Sequence, residues 1–175
     1  LEVLVDPRPT NDAMILEFDF VPIGDTVRFR YVFSSDEYTT YNCSNFNDVF
    51  AFFISGPGIT GMKNIALVPG TDIPVAINSI NNGIPGFGDI GICNAMGPGS
   101  PFTQFYVTNT GNQFFTHNGH TKVLTAEASV IPCQVYHLKL AIADVQDGTL
   151  DSGVFLEAES LRSDPIQIVS STPEI

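Results

Sequence analysis

Short apolar–polar alternations with a period of two, interrupted at brief intervals by proline and glycine, constrain this chain to packed β-sheets. The 175 residues include 15 Gly and 12 Pro, and almost nowhere does a helical period survive between them. The first pair of runs is the clearest. In Met14–Phe20 the even positions are apolar, and Glu17 and Asp19 fall between them. In Val27–Phe33 the odd positions are apolar, with Arg28 and Arg30 on the other face. Pro22-Ile23-Gly24-Asp25 reads as the turn between them. A hairpin folded about Ile23-Gly24 sets Asp19 opposite Arg28, Glu17 opposite Arg30 and Phe18 opposite Phe29. The four charges are therefore expected to be structural pairs rather than a recognition face.

Val49–Ile54 is apolar on both faces and reads as a central strand buried between two layers. Further strands are expected at Ile65–Val68, Val75–Ile80, Gln104–Thr108, Thr121–Ala128, Val135–Ala143, Val154–Ala158 and Ile166–Val169. About ten short strands without a helix to cover a single sheet imply an all-β fold, a two-layer antiparallel β-sandwich of jelly-roll-like kind. Residues 1–169 read as one such module, with Leu1–Val5 extended at its start and residues 170–175 a linker or tail toward a further domain. Asn81–Pro101, rich in Gly, Pro and Asn, reads as a long surface loop.

Charge narrows the range of partners. The 19 acidic residues against 7 basic ones give a net charge of −12, which repels nucleic acid and anionic membrane surfaces. Divalent cations are the natural counter-charge. Charged residues are only 15% of the chain, and a surface rich in Asn, Ser, Thr and Gly suits an extracellular protein. No apolar run is long enough for a transmembrane helix. Cys43, Cys93 and Cys133 fit no zinc signature and leave two readings, one disulfide with a free thiol or three reduced thiols.

Three acidic segments carry the chemistry: Ser34–Tyr38 after one strand, Asn45–Asp48 before the buried strand, and Ala143–Gly153 between two strands. Calcium takes six to eight oxygens from carboxylates, carbonyls and amides, and irregular loops at strand ends can supply them. The last segment is no EF-hand, since its spacing is wrong and no helices flank it. The plain alternative is that these residues are turn formers bonding their own backbone. Catalytic patterns are weaker. Adjacent Asp36 and Glu37 point to opposite sides of an extended chain. His117, His120 and His137 lack a nucleophile turn or metal-pair spacing and read as structural. Lys139 reads as a polar-face lysine rather than a cross-link, and Ser55–Gly61 as a turn.

The runs AMILEFDFVPIGDTVRFRYVFSSDEY, CSNFNDVFAFFISGPGITG, NIALVPGTDIPVAINSINNG and PCQVYHLKLAIADVQDGTLDSGVFLEAESL closely resemble the choice-of-anchor L domain, over roughly Asn11 to Leu161. That resemblance implies a module of secreted or surface-attached bacterial proteins, many exported by the type IX route, with adhesion rather than catalysis as its role. The family's Ser-Glu-Glu-Tyr stands here as Ser35-Asp36-Glu37-Tyr38, so Asp36 reaches less far than a Glu would. The three acidic segments coincide with the family's strongest motifs. Glu37, Asp48, Asp144 and Asp151 are therefore the expected calcium ligands, with Asp36, Asn47 and Asp147 behind them. The resemblance also implies a Cys93–Cys133 disulfide.

The expectation is a non-catalytic, calcium-stabilised binding or adhesion module at the cell surface or outside the cell. Its partners would be a glycan, a protein, a surface ligand or neighbouring domains of the same polypeptide. Phe87 and Phe102 are the expected ligand contacts, with Phe105 and Tyr106 nearby. The alternatives are a spacer in a surface fibre and a glycoside hydrolase working through paired carboxylates.

Overall fold

The structure, a computed structural model, describes residues 1, 8–111 and 115–164. Two antiparallel sheets form a sandwich. The first holds β1 (Thr10–Phe20), β8 (Tyr136–Val145), β3 (Val49–Ser55) and β4 (Lys63–Asn64), in that order. The second centres on β2 (Thr26–Ser35). β6 (Gly119–Thr121) and β7 (Leu124–Ser129) run end to end along one side of β2, β9 (Ser152–Leu156) lies along the other, and β5 (Tyr106–Thr108) pairs with β6. Successive strands cross between the layers, β1 to β2 to β3 and β7 to β8 to β9, which is the jelly-roll-like element of the connectivity.

The alternating pattern decides the core. Val27, Phe29, Tyr31 and Phe33 on β2 face Phe50, Phe52 and Ile54 on β3, and all are buried. Phe52 sits edge-on to Phe29 and Tyr31, with ring centroids 4.2 and 5.0 Å away. The outward residues Val49 and Ala51 of β3 are buried as well, and the 65–80 segment runs along the free edge of β3, bridging Ala76 to Val49.

The expected β1–β2 hairpin does not form. Val21–Asp25 carries the chain from one layer to the other, so the two apolar rows meet across the interior instead of pairing side by side. β1 pairs with β8, which sets Glu17 opposite Lys139, Asp19 opposite His137 and Phe18 opposite Leu138. The Glu17–Lys139 ion pair is 3.3 Å and the Asp19–His137 contact 2.8 Å. Arg28 pairs with Asp164 and Arg30 with Glu157. All four charges are structural, as expected, but with different partners.

Other corrections follow from local chemistry. Ile65–Val68 and Val75–Ile80 make isolated bridges rather than strands, their backbone tied by side-chain and turn hydrogen bonds. Thr103–Phe105 is a 3₁₀ turn, which shortens the expected Gln104–Thr108 strand to β5. Asn81–Pro101 is no free loop. It contains a five-residue helix, α1 (Ile90–Asn94), capped by the Asp89 carboxylate. The expected strand Ile166–Val169, the tail 170–175 and nearly all of Leu1–Val5 lie outside the described residues.

Between β1 and β9 the sandwich stays open. There a groove of about 320 Å³ is lined by Met14, Leu16, Leu140, Ile142, Val154 and Leu156. Met14 and Leu16, on the inward-facing row of β1, are consequently 73% and 54% exposed.

Candidate functional site

The three acidic segments meet at one end of the sandwich. In the β3–β8 ladder Val49 is opposite Ala143, and continuing that register by one residue sets Asp48 beside Asp144. Asp48 shares the inward face with Phe50 and Phe52, and Asp144 with Leu140 and Ile142. Two core-facing rows therefore end in carboxylates. Glu37, two residues past the end of β2, enters from the opposite sheet. Its backbone N–H donates to Ser35 Oγ at 2.9 Å, which fixes the turn.

Burial sets their chemistry. Glu37 is 3% exposed and Asp48 1% exposed, whereas Asp144 is half-buried. Asp48 is well satisfied: Val145 N–H donates to Oδ1 at 3.0 Å and the Ser152 hydroxyl to Oδ2 at 2.7 Å. Glu37 is not, because its Oε2 is buried without a hydrogen-bond partner. Desolvation pushes the Glu37 carboxyl up to about 8, helped by the charges of Asp48, Asp147, Asp144 and Asp36. Desolvation likewise raises Asp144 to about 7, with Asp48, Asp151, Asp12 and Asp147 adding repulsion. Asp48 is lifted to about 6 by burial, partly offset by its bonds from Ser152 and Val145. Among the described residues no Lys, Arg or His makes an ion pair with any of the three.

Of the second-choice residues, Asp36 is half-buried and its backbone is clamped. Its N–H donates to Asp151 O at 3.1 Å, and its carbonyl accepts from Asn118 Nδ2 at 2.7 Å. Asp147 and Asp151 are exposed in the β8–β9 connection. Asn47 points elsewhere: its Oδ1 accepts from Asn78 N–H at 2.7 Å, so it serves the 65–80 segment and not the carboxylates. Sequence reasoning missed Asp12, whose charge acts on Asp144 from the β1 bulge, and Ser152, which holds Asp48. Neither carries a spacing signal, since Asp12 arrives through the β1–β8 register and Ser152 through β9. The carboxylates whose charges bear on one another at this end are Glu37, Asp48 and Asp144, with Asp147 and Asp151. Among the described residues, no three carboxylate, imidazole or thiol groups stand close enough together, as the side chains lie, to hold a metal ion.

A second feature lies on the same β2–β3 connection. The expected Cys93–Cys133 bridge is replaced by Cys43–Cys93, while Cys133 is free and exposed. The reason is the fold. Residues 40–43 run beside 86–89, with Phe87 N–H donating to Thr40 O at 2.8 Å and Asp89 N–H to Cys43 O at 2.9 Å. Gly86 and Gly88 allow this approach, because a Cβ at either position would overlap the Thr40 or Cys43 carbonyl. Held this way, Phe87 is 81% exposed and lies against Tyr41, which in turn lies against Phe46. Phe102 is half-buried and packs on the core, so it is not the free contact expected of it.

The histidines are engaged: His117 Nδ1 with Ser34 Oγ at 2.7 Å, His120 Nδ1 with Thr121 O at 2.8 Å, and His137 with Asp19. No described helix is long and apolar enough to cross a membrane. No curated protein and no solved structure shows significant similarity to the chain. The sequence profile of the Choice-of-anchor L domain matches residues 1–162, nearly the whole chain, and that match agrees with the motifs at the carboxylate end. With a two-sheet sandwich and a profile match of that extent, this chain belongs to the choice-of-anchor L domain family, a module of bacterial surface-associated proteins.

Proposed function

We propose that this chain is a non-catalytic binding or adhesion module within a larger secreted or surface-attached protein, exported by the type IX route. The observation that carries this reading is Phe87, an aromatic ring left in solvent on a backbone held by a hydrogen-bonded ladder, two close-packed glycines and a disulfide. An exposed ring on a rigid base offers a large contact with little conformational entropy left to lose on binding. Tyr41 and Phe46 extend it into a row, and Thr39, Thr40 and Asn45 supply a neutral polar rim. That surface suits a saccharide ring or a protein surface, and the net charge of −12 disfavours nucleic acid and anionic lipid.

The burial of Glu37 and Asp48 argues against glycoside hydrolysis, since carboxylates 3% and 1% exposed are closed to a substrate. The test is to screen the immobilised chain on glycan arrays and on cell surfaces, beside a Phe87→Ala variant of unchanged melting temperature. Binding that the variant loses supports the reading. An empty screen, or binding that the variant keeps in full, overturns it and leaves a spacer between domains.

A further inference from the structure

The carboxylate end raises a question that a binding face does not answer. Buried charges in proteins are paired or coordinate metals, because isolated ones cost too much. Here the β3–β8 register sets Asp48 beside Asp144, the turn that carries Glu37 is tied to the β8–β9 connection by the Asp36 N–H donating to Asp151 O, and the described residues bring no cation to these carboxylates. Four of the seven basic residues are engaged elsewhere, Arg28 with Asp164, Arg30 with Glu157, Lys139 with Glu17 and Arg8 with Asn45, and among the described residues Lys63, Lys122 and Arg162 make no ion pair with these carboxylates.

Acidic clusters are common and by themselves prove nothing. The independent observation is Glu37: its side chain is almost completely buried, its Oε2 has no partner, and the charges facing it are Asp48, Asp147, Asp144 and Asp36. A buried acceptor left unbonded costs about 1–3 kcal/mol, more when charged. That oxygen keeps its full capacity to accept.

We propose that Glu37, Asp48 and Asp144 bind one calcium ion, with Asp147 and Asp151 closing over it from the β8–β9 connection. The donors are all hard oxygens, and no imidazole or thiol faces them among the described residues, which selects an alkaline-earth ion over zinc or copper. Irregular strand ends favour calcium, whose coordination is flexible, over magnesium, which demands a near-ideal octahedron. Each Asp48 oxygen accepts one hydrogen bond and keeps lone-pair capacity for a metal. Asp144 is half-buried, and Asp147 and Asp151 are exposed, so these side chains are free to turn inward and complete the shell. The ion would fasten the β2–β3 and β8–β9 connections to the end of the core. The proposal is independent of whether the Phe87 face binds anything.

The experiment uses the full chain and calcium chloride alone. Calorimetric titration and melting in calcium or in chelator are run on the wild type, Glu37→Gln, Asp144→Asn and, as a distant control, Asp72→Asn, with circular dichroism to check folding. The expected result is one ion per chain and a melting temperature raised by roughly 5–10 °C at saturation. Glu37→Gln and Asp144→Asn each weaken binding by about tenfold or more, and the control does not. Terbium luminescence excited through Tyr38, next to Glu37, gives a wild-type readout that needs no variant. No heat, no melting shift and no luminescence at about 10 mM metal overturns the proposal. So does full affinity in both variants.

Discussion

Replacing Glu37 by Gln should stabilise this protein in chelator and destabilise it relative to wild type in calcium. The glutamate and glutamine side chains are nearly isosteric, and among the described residues no cation pairs with Glu37 that the change would orphan. Folding raises the Glu37 carboxyl from its ordinary 4.5 to about 8, chiefly by burial and then by the surrounding carboxylates. A folded-state pKa above the unfolded one means the native form holds a proton that the unfolded form releases. Stability is then fully present below about pH 4.5 and is lost as pH rises toward 8. Each pH unit in that interval costs about 1.4 kcal/mol, so at pH 7 Glu37 costs about 3 kcal/mol. Gln removes this cost but brings an amide N–H₂ that needs partners, so the net gain is about 1–3 kcal/mol, a melting temperature higher by several degrees. The assay is thermal melting of both proteins at pH 5 and pH 7, in chelator and in calcium. At pH 5 the difference nearly vanishes, and in calcium at pH 7 the order reverses because the variant lacks a ligand. A Glu37→Gln variant less stable than wild type in chelator at pH 7 would refute the reasoning, since Glu37 would then have a favourable native partner.

Wild type in chelator should lose stability steadily from about pH 3.8, where Asp48 and Asp144 would ionise unfolded, to about pH 8, as Asp48, Asp144 and Glu37 ionise in turn, and calcium should flatten the curve. Peptide mapping should find Cys43 linked to Cys93, with Cys133 alone reacting with a thiol reagent in the native protein. Opening that 50-residue loop with the Cys43→Ser, Cys93→Ser double variant costs about 4 kcal/mol, read by denaturant melting. A double-mutant cycle to Ala at Glu17 and Lys139 should give a coupling of about 0.2–1 kcal/mol, whereas Glu17 and Arg30, in different sheets, should be additive. Phe52→Ala, among Phe29, Phe50 and Tyr31, should cost about 3–5 kcal/mol by the same melting assay.

Much of the carboxylate end is legible in the sequence, because loops at strand ends are where a sandwich can gather side chains from distant parts of the chain. Glu37 follows β2, Asp48 precedes β3 and Asp144 is the last residue but one of β8, so their convergence requires only that those strands pack in two layers. Asn47 departs from the expectation for a local reason: strand parity turns it away from its neighbour Asp48, toward Asn78. Asp12 has no sequence signal because its place depends on the bulge between Asn11 and Met14, which no periodicity encodes.

The sequence by itself determined the class of fold and which face of each strand is buried, because the period-two alternation is a property of the backbone. It could not determine which strand pairs with which. Glu17 has an ion-pair partner in Lys139 and Asp19 a hydrogen-bond partner in His137, so the polar face of β1 is served by the crossover as it would be by two arginines in a hairpin, and charge did not choose between them. Only the tertiary structure chose between them, since the apolar rows of β1 and β2 reach the common interior when they lie in opposite layers. The disulfide was decided the same way. Three cysteines offer three pairings, and Cys43 meets Cys93 because two glycines let residues 40–43 and 86–89 approach within hydrogen-bonding distance. Long-range proximity is a property of the packed chain, and no local pattern of residues contains it.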